Sequence, residues 1–201
     1  MTDVSSSAAR DLGPRDAIIA AGHRLVGNKK SDFTIVELSA EAGVALQTFY
    51  RHFGGKDHLL VALIADQICA HTDRLRVSLA ETPDPVDRLR ECIRATVAPV
   101  HTGSERARAR LVATEHWRLH AIIPDELAAA TKPFVDLIAE QLQAGCESGQ
   151  LRPRDVEQDA WLVTRTVMST VHHYVFTPEA PGEDVSEALC EFCVTAVGVG
   201  G

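Results

Sequence analysis

The sequence has no long hydrophobic run and no apolar segment close to its start. No stretch approaches the ~18 consecutive apolar residues that mark a membrane-spanning helix. The opening residues, MTDVSSSAARDLG, are polar and lack the apolar core of a secretory signal. We therefore expect no membrane partner and a cytoplasmic location.

Patterns that carry catalysis or metal binding are also missing. There is no Gly-rich phosphate loop, no nucleophile-plus-base pattern and no pair of carboxylates at ligand spacing. His116 and His120 stand four residues apart, which is compatible with a metal, but no H-E-x-x-H or E-x-x-H pattern surrounds them. We predict that the protein is not an enzyme and has neither a cofactor nor a metal site, and a helical-bundle enzyme is the least supported alternative.

The cysteines do not form a disulfide framework, because they are scattered and odd in number (Cys69, Cys92, Cys146, Cys190 and Cys193). Cys190 and Cys193 make a C-x-x-C pattern inside an apolar helical stretch, with no second pair nearby. We predict that they pack in the core rather than bind zinc, and a redox role stays open.

Positive charge is scarce for a protein that binds a polyanion, since the net charge is −8 at pH 7. The acidic residues are not evenly distributed along the chain. Residues 1–56 hold seven Lys and Arg against six Asp and Glu, a net of +1, whereas the remainder holds 13 against 22, a net of −9. Any nucleic-acid affinity must therefore come from a few well-placed contacts and from two copies of the domain, not from bulk charge.

Apolar residues are plentiful, at 45% of 201 residues, and they recur at helical spacing. The stretch that organises the chain is residues 34–60. Thr34 can cap a helix with Glu37 completing a capping box, and Gly43 can end that helix in a left-handed conformation. A short helix over residues 45–53 follows, with Phe49 and Phe53 facing inward at i and i+4.

The outer faces of that short helix then carry neutral and cationic side chains without an acid: Leu46, Gln47, Thr48, Tyr50, Arg51 and His52. Such side chains donate to phosphates and base edges, which suits a helix that lies in a DNA major groove. The alternative is a corner between two helices that has no role in DNA binding. The exposed set favours DNA binding.

This stretch resembles the DNA-binding segment of the TetR family of transcriptional regulators. The matching residues are Thr34, Ala42-Gly43-Val44, Thr48-Phe49-Tyr50, His52-Phe53, Lys56 and Leu59-Leu60. The resemblance is close over roughly the first quarter of the chain. It implies an all-α fold: a flexible tail (1–12), a three-helix helix-turn-helix DNA-binding domain (13–56), and a helical ligand-binding and dimerisation domain (57–201).

The resemblance also implies which residues contact a double-stranded DNA operator. Thr48, Tyr50, His52 and Lys56 would hold phosphates. Gln47 and Arg51 are the candidates for reading bases, with Leu46 against a thymine methyl. The complete predicted set is Thr34, Leu46, Gln47, Thr48, Tyr50, Arg51, His52 and Lys56.

In the rest of the chain, the spacing of apolar residues and the helix caps predict helices over residues 14–27, 56–80, 85–97, 104–121, 125–148, 155–176 and 184–199. Asp125 is the expected cap of the fifth of these, and Pro133 indicates either a kink in it or a later start near Lys132. The basic cluster of Arg106, Arg108 and Arg110 is interpreted as a solvated face that pairs with nearby acids, not as a second nucleic-acid site.

The body is expected to hold a small-molecule effector between its helices. The residues chosen for size and placement are His116, Trp117, Phe134, Trp161 and Met168, which suggest a largely apolar or aromatic ligand. Plain core packing of Trp117 is an equal alternative. Residues 155–176 and 184–199 would form a homodimer interface, as the family implies, with a single buried core helix as the alternative. A ligand-independent dimeric DNA-binding protein is the second functional hypothesis.

Overall fold

The computed structural model describes residues 13–28, 33–98, 103–177 and 183–198. These ranges contain nine α-helices: α1 (Pro14–Gly27), α2 (Ile35–Ala42), α3 (Leu46–His52), α4 (Lys56–Leu79), α5 (Pro85–Val97), α6 (Gly103–Ile122), α7 (Pro124–Glu147), α8 (Val156–Phe176) and α9 (Glu183–Ala196). The predicted all-α class is confirmed. In the described ranges, no helix combines the length and apolar character needed to cross a membrane. The predicted tail, 1–12, lies outside the described residues.

Local hydrogen bonds define the start and end of α2 as the sequence predicts. The backbone N–H of Glu37 donates to Thr34 Oγ1 over 3.1 Å, and the backbone N–H of Thr34 donates to Glu37 Oε2 over 2.7 Å. This is the reciprocal capping box. Gly43 ends the helix at φ 67°, where a side chain would be strained. Asp84 and Asp155 likewise cap α5 and α8.

The start of α7 differs from the prediction. Asp125 does not cap it: Ile123 occupies the cap position without a side-chain hydrogen bond, and Pro124 is the first helical residue. Pro is suited to that position because its fixed φ is helical and its missing N–H is not needed there. The helix also continues through Pro133, so the alternative start near Lys132 is wrong.

The helix-turn-helix (α1–α3) is fastened to the body by side chains of α4. His23 of α1 lies 2.8 Å from Asp66 of α4, between Nε2 and Oδ2. At the other end of the junction, Arg118 of α6 donates to Asp57 of α4 over 2.7 Å. The longest helices, α4 and α7, pack against each other and place the core at the centre of the body. The long helix α4 therefore runs from the helix-turn-helix into that core.

Two arginines of the predicted basic cluster contact the end of α8 instead of solvent-facing acids. Arg106 donates to the backbone carbonyls of Val175 and Thr177, and the guanidinium of Arg110 lies 5.2 Å from the Phe176 ring centroid. A helix end presents unpaired carbonyls with partial negative charge, which a guanidinium satisfies. The expected role in pairing with acids is thus corrected for these two residues.

The C-x-x-C pair is part of the core. Cys190 and Cys193 are fully buried on α9, and both carry free thiols. Burial raises the pKa of the Cys193 thiol to about 12 and raises that of Cys190 as well. Since the thiolate is the reactive form, these cysteines are suited to packing, as the sequence predicts.

Candidate nucleic-acid interface and interior cavities

A pair of stacked rings holds α3 in place. Phe49 is fully buried and Phe53 nearly so, and their ring centroids are 5.7 Å apart at an interplanar angle of 27°. Tyr50 packs edge-on against Phe49 at 5.2 Å. The two phenylalanines are the inward i, i+4 pair that the sequence predicts. They fix the short helix, so its outer side chains are presented from a rigid support.

The outer surface of α3 is the candidate nucleic-acid interface. Five of its side chains are exposed and Thr48 is half-buried; the exposed ones are Leu46, Gln47, Tyr50, Arg51 and His52. The seven residues of α3 include no acid, so nothing on the helix itself repels a phosphate. The structure therefore brings six of the eight predicted contact residues onto one short, exposed element.

The other two predicted residues are engaged in local structure. Thr34 is committed to the capping box of α2. Lys56 is half-buried at the start of α4, where its Nζ donates to the carbonyl of Phe33 over 2.8 Å and lies 4.8 Å from the Phe33 ring centroid. An ammonium has three donors, so two remain for a phosphate. DNA contact by Lys56 stays a prediction.

The body contains a cavity of about 550 Å³ between α4, α6, α7 and α8. We call it the body cavity. Four of the five residues predicted for a ligand site line it: His116, Phe134, Trp161 and Met168. The fifth is corrected, because Trp117 is 71% exposed and does not line the cavity. Trp117 follows His116 on α6, so the inward orientation of one places the other on the surface.

His116 is the most constrained polar group of the body cavity. It is only 6% exposed, and Arg165 Nη1 lies 2.9 Å from its Nε2. A guanidinium can only donate, so Nε2 accepts and the ring proton sits on Nδ1. That Nδ1 is buried without a partner among the described residues, as is the hydroxyl of Thr164. Burial, then the charge of Arg165, lowers the pKa of His116 to about 4, so the ring is neutral at pH 7.

A second cavity of about 330 Å³ lies where the helix-turn-helix meets the body, and sequence reasoning missed it. We call it the junction cavity. Its lining comes from five helices (α1, α4, α5, α6 and α8) and includes His23, Asp66, His71, Arg74, Thr96 and Arg108. No spacing within one helix brings these residues together, so no sequence pattern indicated the site.

Within the junction cavity, His71 is held in a defined state. Thr96 Oγ1 donates to the carbonyl of Cys92 over 2.7 Å, which uses its only proton. His71 Nε2, 2.9 Å from the same hydroxyl, must therefore be the donor. Burial, with a contribution from the nearby Arg74, lowers the pKa of His71 to about 4. The ring is neutral, and its Nδ1 is an acceptor.

A capped helix-turn-helix with an acid-free α3, joined to a helical body with cavities, defines the class of helix-turn-helix folds. Comparison with known proteins narrows the class. Residues 18–63 match the sequence model of the family described as "Bacterial regulatory proteins, tetR family". The N-terminal part of this chain is therefore similar to the DNA-binding segment of the TetR family of transcriptional regulators.

Two curated relatives with the same kind of DNA-binding segment are similar to a larger part of the chain. The HTH-type transcriptional regulator BetI of Brucella anthropi is 30% identical over 108 residues, which cover 53% of this chain and 54% of that protein. The chain thus spans about half the length of this relative. BetI of Brucella abortus is 27% identical over 141 residues, covering 70% of this chain and 69% of that protein.

Two solved structures share the fold. RolR in complex with resorcinol is 16% identical with a TM-score of 0.73, covering 92% of this chain and 88% of that one. FadR of Thermus thermophilus, a TetR-family repressor in complex with lauroyl-CoA, is 23% identical with a TM-score of 0.70, covering 91% and 92%. At these identities the likeness shows the fold, and the similarity extends through the helical C-terminal body.

Proposed function

We propose that this protein is a dimeric repressor that binds a pseudo-palindromic DNA operator and is released from it by a small, largely apolar or aromatic ligand. Residues 13–56 would form the DNA-binding domain and residues 57–201 the ligand-binding and dimerisation domain. The observation that carries the proposal is the exposed, acid-free face of α3 on its buried Phe49–Phe53 support.

Roles on this face follow from side-chain chemistry and from positions in the family motif. Thr48, Tyr50, His52 and Lys56 would hold phosphates, which carry affinity but little sequence information. Arg51 matches the two acceptors of guanine, and Gln47 matches the N7 acceptor and the N6 amino donor of adenine, each good pair being worth ~1–3 kcal/mol of discrimination. Exposed Leu46 is placed to meet a thymine methyl.

Dimerisation through α8 and α9 is supported by large apolar side chains left on their surfaces. Leu162 is 49% exposed, Phe176 is 52% exposed and Phe192 is 62% exposed. Where such side chains form one contiguous patch, they commonly mark a protein–protein contact. A two-fold pair would set the two α3 helices roughly 34–36 Å apart, in successive major grooves of a palindromic site.

The two cavities favour a ligand-responsive protein over the ligand-independent alternative, for which a filled body is expected. Their volumes, about 330 and 550 Å³, lie in the ~300–1,000 Å³ range typical of ligand pockets. Similarly folded proteins hold resorcinol and acyl-CoA. For the ligand to release the protein from DNA, it must bind more tightly to the conformation in which the two α3 helices no longer fit successive major grooves than to the DNA-bound conformation.

Selection of bound sites from random duplexes, followed by titration with variants, tests the proposal. Arg51→Ala should relax preference at one base pair in each half-site. Lys56→Ala should weaken all sequences alike and flatten the salt dependence, because one phosphate contact is lost. Arg154→Ala, an exposed arginine before α8, is the charge-matched control and should leave binding unchanged.

Two results would overturn the proposal. Uniform weakening by both Arg51→Ala and Lys56→Ala would show that the roles of these residues are wrongly assigned. A protein that remains monomeric and ignores every duplex at low ionic strength would remove the proposed function itself.

A further inference from the structure

Two arginines face the junction cavity without a partner. Arg108 of α6 is half-buried there and Arg74 of α4 lies at its exposed edge. Neither forms a hydrogen bond or an ion pair in the part of the chain that the structure describes. Other body arginines do pair with carboxylates: Arg76, Arg90, Arg94 and Arg118. Two unpaired guanidiniums on one cavity make it a region of positive potential.

The other charged groups around the junction cavity do not cancel this potential. Asp66 also lines it and is hydrogen-bonded to His23 at 2.8 Å, and its single negative charge is outnumbered by the two guanidiniums. His71 is neutral and bonded to Thr96, so it neither repels a cation nor pairs with an anion through Nε2. The groups that remain to bind a ligand are the guanidinium groups of Arg74 and Arg108.

The junction cavity adjoins the body cavity. Ile68, Val112 and Met168 line both, so these three apolar side chains form the boundary between the two cavities. A ligand that displaces the flexible side chain of Met168 can place an apolar part in the larger cavity and a polar end in the smaller one. A ligand with that division would match the lining of both.

We propose that the effector is an amphipathic carboxylic acid, whose carboxylate is held by Arg74 and Arg108 in the junction cavity and whose apolar part occupies the body cavity. This inference rests on the proposed ligand response and adds the chemical class of the ligand. Guanidinium groups bind carboxylates through two parallel hydrogen bonds, which gives both strength and orientation.

The body cavity offers a competing place for the carboxylate, at Arg165. That guanidinium donates to His116 Nε2 at 2.9 Å and keeps further donors, but Asp136 and Glu157 on the same cavity balance the charges of Arg165 and Lys132. Lys132, also on this cavity, is paired with Asp136 at 2.5 Å. Glu157 lines the same cavity and would repel an anion. The junction cavity is therefore the better anion site.

Ligand head groups can be compared directly by fluorescence. The chain has two tryptophans, so Trp117→Phe leaves Trp161, on the body cavity, as the sole reporter. The full-length Trp117→Phe protein is titrated at pH 7.5 with octanoate, octanamide and octylamine, which share one tail. Octanoate should bind about tenfold more tightly than octanamide, as expected for charge-assisted hydrogen bonds, with octylamine weakest. Equal binding of octanoate and octanamide, or no binding of octanoate at millimolar concentration, overturns the proposal.

Variants then locate the carboxylate. Arg74→Gln with Arg108→Gln should remove the preference for octanoate while octanamide binding stays unchanged, which also shows that the cavity is intact. Arg110→Gln, on the same helix as Arg108 but against Phe176, is the matched control and should keep the preference. If Arg165→Gln removes the preference and the double variant does not, the proposed position of the carboxylate is wrong.

Failure of this inference can be separated from failure of the proposed function. Site selection from random DNA uses the protein without any ligand. A palindromic site together with equal octanoate and octanamide binding would overturn only the acid assignment. An octanoate preference in a protein that binds no duplex would overturn the proposed DNA function and leave the cavity assignment standing.

Discussion

Acid should destabilise this fold through His116. Its pKa is about 4 in the folded protein, against ~6.5 in an unfolded chain. Between these values the unfolded state binds more protons, so the free energy of unfolding falls as the pH drops from 6.5 towards 4. Between pH 7.5 and pH 5 the linkage relation gives a loss of up to about 2 kcal/mol from this one buried ring.

Urea denaturation of the wild type and of His116→Gln, at both pH values and one fixed protein concentration, measures this loss. The fixed concentration matters because dimerisation would shift apparent stability. Burial also lowers the pKa of His71 and His172. Their contribution to the pH dependence of stability is common to the wild type and to His116→Gln. The difference in pH dependence between the two proteins therefore isolates His116.

Between pH 7.5 and pH 5, the free energy of unfolding of His116→Gln should fall by about 2 kcal/mol less than that of the wild type. His52→Gln, an exposed position on α3, makes the same substitution away from the core and should retain the wild-type pH dependence. If His116→Gln loses as much stability in acid as the wild type, the buried, neutral state assigned to His116 is incorrect.

Three substitutions test the fold itself by thermal or urea unfolding. Phe49→Ala should cost about 3–5 kcal/mol, because a fully buried ring is lost from the support of α3; a loss below 1 kcal/mol would contradict that role. Gly43→Ala should cost about 1–2 kcal/mol from its positive φ alone, since open space surrounds the added Cβ, and an unchanged midpoint would refute this. Gly145→Ala should destabilise more than Gly27→Ala, because the added Cβ would lie 2.5 Å from Leu151 Cδ1 at Gly145 and in open space at Gly27; equal effects would show that Leu151 moves aside easily.

The helix-turn-helix could be predicted almost residue by residue because its determinants are local. The capping box joins two residues three positions apart, the Gly43 turn needs one positive φ, and the inward pair Phe49 and Phe53 lies one helical turn apart. Each of these is encoded within a few positions and is found in the structure. Where the local signal was shared by two neighbours, as at Pro124 and Asp125, the prediction missed the start of α7 by one position.

The ligand site was predicted less completely because side-chain direction depends on how helices are rotated about their axes. His116 and Trp117 are adjacent on α6, and both types suit a mixed cavity. Packing of α6 against α8 turns His116 inward, to Arg165, and leaves Trp117 on the surface. The same packing brings Arg106 and Arg110 to the end of α8, which charge patterns alone did not indicate.

Short-range information was thus sufficient for the helices, their caps and the surface of α3, because turns and i, i+4 spacing act within a few residues. The junction cavity arises only when five helices meet and bring side chains from distant parts of the chain to one space. Its unpaired arginines look like ordinary surface charges in the sequence. Long-range packing is what turns them towards a shared space.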